Sequence, residues 1–192
     1  MESSSPDGPG RLSETLVHHG RIVRLSLDEV RFPDGSTGTL EMIRHRGASA
    51  VLPVRGGPQD PDPEVILVRQ YRYATGGYIY EVPAGLPLDG ESWADCARRE
   101  LEEEAGVRAG QLREMTHIYT TPGFTDEVIH LFVAWDLEDG AVNRDEDEFI
   151  EVVSLPLSTV LEMIRNGEIV DCKTVATVLY ASAFVLRRDR AG

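Results

Sequence analysis

The chain has 192 residues, 41% of them hydrophobic, and a formal net charge of −14. That is enough length for one ordinary domain and enough apolar content for a buried core, which excludes wholesale disorder. The acidic balance argues against a nucleic-acid backbone or an anionic membrane as partner, although bound divalent cations let an acidic protein hold a polyanion locally.

Residues 1–12 are rich in Ser, Pro, Gly and Asp and read as a mobile tail. MESSSPDGPGR lacks the apolar core of a signal peptide, and no run of 18 apolar residues follows anywhere. The two cysteines, Cys96 and Cys172, have no metal-ligand spacing and suit a reducing compartment, so a soluble cytoplasmic protein is expected.

Residues 14–46 alternate like strands, ETLVHHGRIVRLSLDEV and then TLEMIRH, around the turn signal RFPDGSTG. ASAVLPV (48–54) and EVILVRQYRY (64–73) read as further strands joined by the polar loop GGPQDPDP. ATGGYIYEVPAGL then leads to a helix from Ser92 to Ala105, whose Ala94, Ala97, Leu101 and Ala105 recur at helical spacing and which Gly106 ends. Strands follow near 112–120 and 127–137, then the acidic loop EDGAVNRDEDE (138–148) and the strand FIEVVSL. Two helices close the chain, Leu157–Asn166, ended by Gly167, and Cys172–Arg188. This order predicts a mixed sheet with helices on its faces.

The helix over 92–105 carries the chemistry. At about 100° per residue, Glu100, Glu103 and Glu104 share roughly a 100° arc. Neighbouring carboxylates repel by a few tenths of a kcal/mol per pair, and the C-terminal end of a helix disfavours negative charge. Such an oxygen-rich cluster suits Mg²⁺ or Mn²⁺. Taken alone, ELEEE fits a solvated acidic face equally well.

The segment 85–107 resembles the Nudix box: Gly85, Glu91, Arg99, Glu100, Leu101, Glu103, Glu104, Gly106 and Val107 fill all of its fixed positions in register. The resemblance implies an α/β (α+β) Nudix fold, a mixed sheet between helices with an N-terminal antiparallel β extension. It implies that Glu100 and Glu104 are the main metal ligands, joined by Glu103 and the Ala84 carbonyl. Arg99 would orient a carboxylate by charge-assisted hydrogen bonds. Gly85 would bring backbone close to the metals, and Glu91 would be structural.

Past the box, THIYTTPGFTDE (116–127) resembles the corresponding segment of ADP-ribose pyrophosphatases, with Pro122 sixteen residues after Gly106. Pro122 and Gly123 are therefore expected at the substrate. The acidic loop resembles the one that supplies a further glutamate, either Glu146 or Glu148: one as general base, and Glu148 also as a metal ligand. Upstream, Arg72 is expected to grip a phosphate and Glu81 to touch the nucleotide; for both, an ordinary salt bridge is the alternative.

The implied activity is Mg²⁺-dependent hydrolysis of ADP-ribose to AMP and ribose 5-phosphate. GDP-mannose, another nucleoside diphosphate sugar or a dinucleotide is the alternative substrate, and a non-catalytic binding protein is the rival of another class. The implied organisation is a tail (1–12), an N-terminal β segment (13–47) exchanged across a homodimer, and a hydrolase domain (48–190).

Overall fold

The computed structural model describes residues 8–57, 59–140 and 150–186. The chain forms two compact units, one of the residues through Gly47 with Tyr119–Val128, the other of Ala48–Ile118 with the residues from Ile129 onward.

The first unit holds an antiparallel sheet in the order β1 (Gly10–His19), β2 (Arg24–Arg31), β3 (Thr37–Arg44). The strand-like run ETLVHHGRIVRLSLDEV forms two strands, parted where Gly20 N donates to Val23 O at 2.8 Å and turns the chain. β1 takes in Gly10–Leu12, the end of the stretch read as a tail. In the β2–β3 turn the Asp34 carboxylate accepts from Ser36 N (2.9 Å) and Ser36 Oγ (2.6 Å), and Gly35 takes φ 85°, a conformation that favours glycine. Asp28, buried on β2, accepts from Ser26 Oγ at 3.0 Å and pairs with Arg44. The Tyr119–Val128 segment joins β3 through Ile43 N to Phe124 O (2.7 Å) and His45 N to Asp126 Oδ1 (2.8 Å).

The second unit is built on a mixed sheet of β4 (Ala48–Arg55), β5 (Glu64–Arg72), β6 (Gly77–Glu81), β7 (Ala84–Gly85), β8 (Val107–Tyr119), β9 (Val128–Asp139) and β10 (Ile150–Pro156). Its main path runs β10-β5-β4-β9-β8, with β6 on β5 and β7 on β4; β4 and β9 are parallel, and β4 is antiparallel to both β5 and β7. Side-chain alternation divides the core. Ala50, Leu52, Val54, Val65, Leu67, Leu131 and Val133 face α2 (Leu157–Arg165) and α3 (Cys172–Phe184). Val51, Ile66, Phe132 and Ala134 face α1 (Trp93–Ala105). Central strands buried on both sides need near-continuous apolar runs, and ASAVLPV supplies one. Each fully buried Leu or Phe contributes about 1.5–3 kcal/mol.

The fold class is as expected, an α/β mixed sheet between helices with an antiparallel N-terminal sheet. α3 is shorter than the helix expected to run to Arg188: Val185 leaves helical geometry (φ −120°, ψ −50°), and the apolar Val185 and Leu186 turn into the core. No helix of the described residues is long and apolar enough to cross a membrane.

Candidate active site

Helix α1 is fixed at both ends by its own sequence. Ser92 caps it by accepting from Asp95 N at 3.1 Å, and Gly106 closes it with φ 69° while its N–H donates to Glu102 O. Ser49 Oγ donates to Trp93 O at 2.8 Å and pins the first turn to β4. Cys96, Ala97, Leu101 and Ala105 are buried; the two small alanines and the cysteine bring the helix close to the sheet. That approach decides what the neighbouring glutamates meet.

Glu104 is 4% exposed, and its Oε2 accepts from Ala84 N at 3.0 Å. Glu100 packs against the next residue of β7. A Cβ built on Gly85 would fall inside the Glu100 carboxyl group, so the absent side chain is the space that carboxylate occupies. Two box glutamates one turn apart are thus held against the Ala84–Gly85 backbone. A solvated acidic flank would leave them free.

Arg99 holds the rest. Its Nε and Nη2 donate to the two oxygens of Glu91 at 3.0 Å each, its Nη1 to Glu100 Oε1 (2.7 Å) and Glu103 Oε2 (2.9 Å), and its Nη2 also to Leu86 O (2.9 Å). A guanidinium fork serves three carboxylates at once, which an ammonium does not match. The Glu91 bonds above all raise the Arg99 pKa further, against the opposing effect of burial. Reciprocally, the Arg99 bonds hold Glu91 below the ordinary carboxylate range. Glu91 also accepts from Leu88 N at 2.8 Å, so it fastens the loop between β7 and α1. Beneath the site the buried Cys96 thiol donates to Gly85 O at 3.4 Å; burial, above all, raises its pKa to about 11.

Arg72 and Glu81 form the salt bridge that was the alternative at each position. Arg72 Nε reaches Glu81 Oε1 at 2.6 Å and Nη2 reaches Oε2 at 2.9 Å, with Glu81 buried and the Arg72 side chain 43% exposed. Lys173 also pairs with Glu81 Oε2, and neither Lys173 nor its neighbours Asp171 and Thr174 stood out in the sequence. The one signal was local: Asp171, in DCKT before a helix, is a standard N-cap pattern. Pro122 and Gly123 lie on an exposed turn of the first unit, where Phe124 N and Thr125 N both donate to Thr121 O at 3.2 Å. Glu146 and Glu148 lie outside the described residues.

Among the described residues, no three Asp, Glu, His or Cys side chains gather as a ready-made metal cluster. The donors present are the Glu100 and Glu104 carboxylates beside the backbone at Ala84. They fit an ion such as Mg²⁺, which keeps several waters and takes few protein ligands.

Comparison with known proteins agrees with this geometry. The family profile described as NUDIX domain matches residues 44–171. The chain is 36% identical to the ADP-ribose pyrophosphatase of Bacillus subtilis (strain 168), over 88% of this chain and 90% of that one. It is 39% identical to the methanol dehydrogenase activator of Bacillus methanolicus (85% and 87% covered). To the GDP-mannose pyrophosphatase of Shigella flexneri it is 38% identical (73% and 79% covered). A solved structure described as an ADP compounds hydrolase superposes with a TM-score of 0.77 at 26% identity, covering 94% of this chain and 95% of that one. With its complete box folded as a carboxylate-bearing helix against the Ala84–Gly85 backbone, this chain belongs to the Nudix family.

Proposed function

We propose that the chain hydrolyses the diphosphate of a nucleoside diphosphate sugar, with ADP-ribose as substrate and AMP and ribose 5-phosphate as products. The observation that carries this reading is the seating of Glu100 and Glu104 on the Ala84–Gly85 backbone, with Arg99 across Glu91, Glu100 and Glu103. Similarity to an ADP-ribose pyrophosphatase over nearly the whole of both chains supports the substrate.

Glu100, Glu104 and the Ala84 carbonyl would hold divalent ions, Mg²⁺ or alternatively Mn²⁺, with Glu103 sharing them. When bound, such ions neutralise the diphosphate and lower the pKa of a coordinated water. Arg99 orients Glu100 and Glu103 for that task. Arg72 grips a phosphate oxygen, with Glu81 behind it, and Gly85 contributes backbone to the substrate. Glu146 or Glu148 takes the proton of the attacking water; Glu148 is also a further ligand. Exposed Leu16, Val17 and Ile22 in and beside β1 support a homodimer in which residues 13–47 exchange between copies. The two cysteines, neither in a disulfide, support a cytoplasmic setting.

A second reading, GDP-mannose as substrate, is favoured by the GDP-mannose pyrophosphatase relatives. Chromatography of nucleoside monophosphates released from ADP-ribose, GDP-mannose and a dinucleotide, with Mg²⁺ and with Mn²⁺, separates the two. ADP-ribose is expected to give the highest kcat/KM, and Glu104→Gln to lower turnover on the order of 100-fold or more in a folded protein. Absence of any monophosphate across the panel refutes hydrolysis. A clear preference for GDP-mannose moves the substrate.

A further inference from the structure

The Glu81 carboxylate sits at the centre of a network that the box does not include. It takes Arg72 through Nε and Nη2, and Lys173 through Oε2. Lys173 Nζ also donates to Asp171 Oδ2 at 3.0 Å. Asp171 caps α3, accepting from Thr174 N (3.0 Å) and Thr174 Oγ1 (2.6 Å), and Thr174 Oγ1 in turn accepts from Val82 N at 2.9 Å. Two cations and two carboxylates therefore balance at the end of β6, three residues before Ala84.

We propose that Lys173 is a positioning residue for Arg72, acting through the buried Glu81 carboxylate to keep one edge of the guanidinium turned outward for a phosphate oxygen. The proposal rests on the phosphate-gripping role given to Arg72 above. Mechanical anchoring of α3 does not need the lysine, because the Asp171 cap fixes its first turn and the Thr174–Val82 bond already ties it to the residue that follows β6. What Lys173 adds is charge. Its side chain is 13% exposed and lies between Glu81 and Asp171, and the Asp171 and Glu104 carboxylates also act on Arg72. Without Lys173, Arg72 is the one cation of this network among the described residues that faces both Glu81 and Asp171, and it is drawn inward to serve them. With Lys173 in place, Glu81 is satisfied from behind. It holds Nε and Nη2 of a side chain that is 43% exposed, and among the described residues Nη1 donates no hydrogen bond, which leaves that edge to a ligand.

The test uses the full chain with Mg²⁺ and ADP-ribose. Lys173→Gln is expected to raise KM about tenfold while kcat changes less than about threefold, the signature of lost uniform binding. Lys173→Arg should restore most of the loss. In an Arg72→Ala background Lys173→Gln should add less than about twofold, since a residue acting through another has nothing left to act on. A second readout needs no turnover. The Nε–H signal of Arg72 in ¹H–¹⁵N spectra, assigned by its disappearance in Arg72→Lys, should shift in Lys173→Gln and return in Lys173→Arg. Multiplicative effects in the double variant, meaning that Lys173 touches substrate itself, overturn the proposal. So does an Arg72 Nε–H signal unmoved by Lys173→Gln, or a Lys173→Gln chain that does not fold. If the wild-type chain releases no AMP, the activity reading fails and the spectra alone decide the positioning role.

Discussion

Gly85→Ala isolates the closest contact in the site. The new methyl would land within the carboxyl group of Glu100, far inside van der Waals distance. Backbone cannot relieve this, because β7 is paired to β4 at Ser49–Gly85 and Ala50–Ala84 and Ala84 N is held by Glu104. The carboxylate is the far end of a flexible side chain, so it moves, and in moving gives up the 2.7 Å charge-assisted bond from Arg99. That bond and residual crowding put the stability loss at about 1–3 kcal/mol. In a chain of this size the melting temperature falls by about 2–4 °C per kcal/mol. Activity should suffer far more, because displacing a ligand-bearing group on the order of 1 Å costs about 100-fold. Calorimetry paired with Mg²⁺-dependent AMP release reads both quantities. A Gly85→Ala enzyme with wild-type kcat would refute the argument that the missing Cβ is what seats Glu100. Equal activity loss with a collapsed melting transition would reduce the effect to misfolding.

Two further outcomes follow from burial and charge. Cys96 is fully buried with its pKa raised to about 11, so at pH 8 its thiol stays protonated, whereas Cys172 is exposed. Titration with a thiol-exchange reagent should give one fast equivalent in the native protein and two after denaturation; two fast native equivalents contradict the placement of Cys96 under the site. Burial would raise the Glu81 pKa, but the Arg72 bonds and the Lys173 charge outweigh it and hold the group below the ordinary value of 4.5. A depressed folded-state pKa adds stability that is present above the ordinary value and lost as pH falls through the folded one. Glu81→Gln should cost about 3 kcal/mol at pH 7, the low end for removing one partner of a buried pair, because Arg72 is partly exposed. Melting curves of wild type and Glu81→Gln should converge below pH 4.5, and parallel curves down to pH 3 dispose of the claim.

The helix over 92–105, its Ser92 start and Gly106 stop, and the strands over 48–55 and 64–72 were legible because they rest on local chemistry. Hydrophobic period, caps and turn residues act within a few positions of the chain. The box could be read for the same reason, since all of its fixed residues lie within 85–107. The sequence alone left two things open: whether ELEEE was a wet flank, and what Arg72 and Glu81 faced. Tertiary structure decided both. α1 packs on the sheet through alanines and Cys96, which buries Glu104 and seats Glu100 over Gly85. The partner of Glu81 across the fold is Lys173, 92 residues away. No periodicity records a pairing between residues so far apart. It exists because α3 docks beside β6, and a buried carboxylate must find its counter-charges wherever the fold brings them.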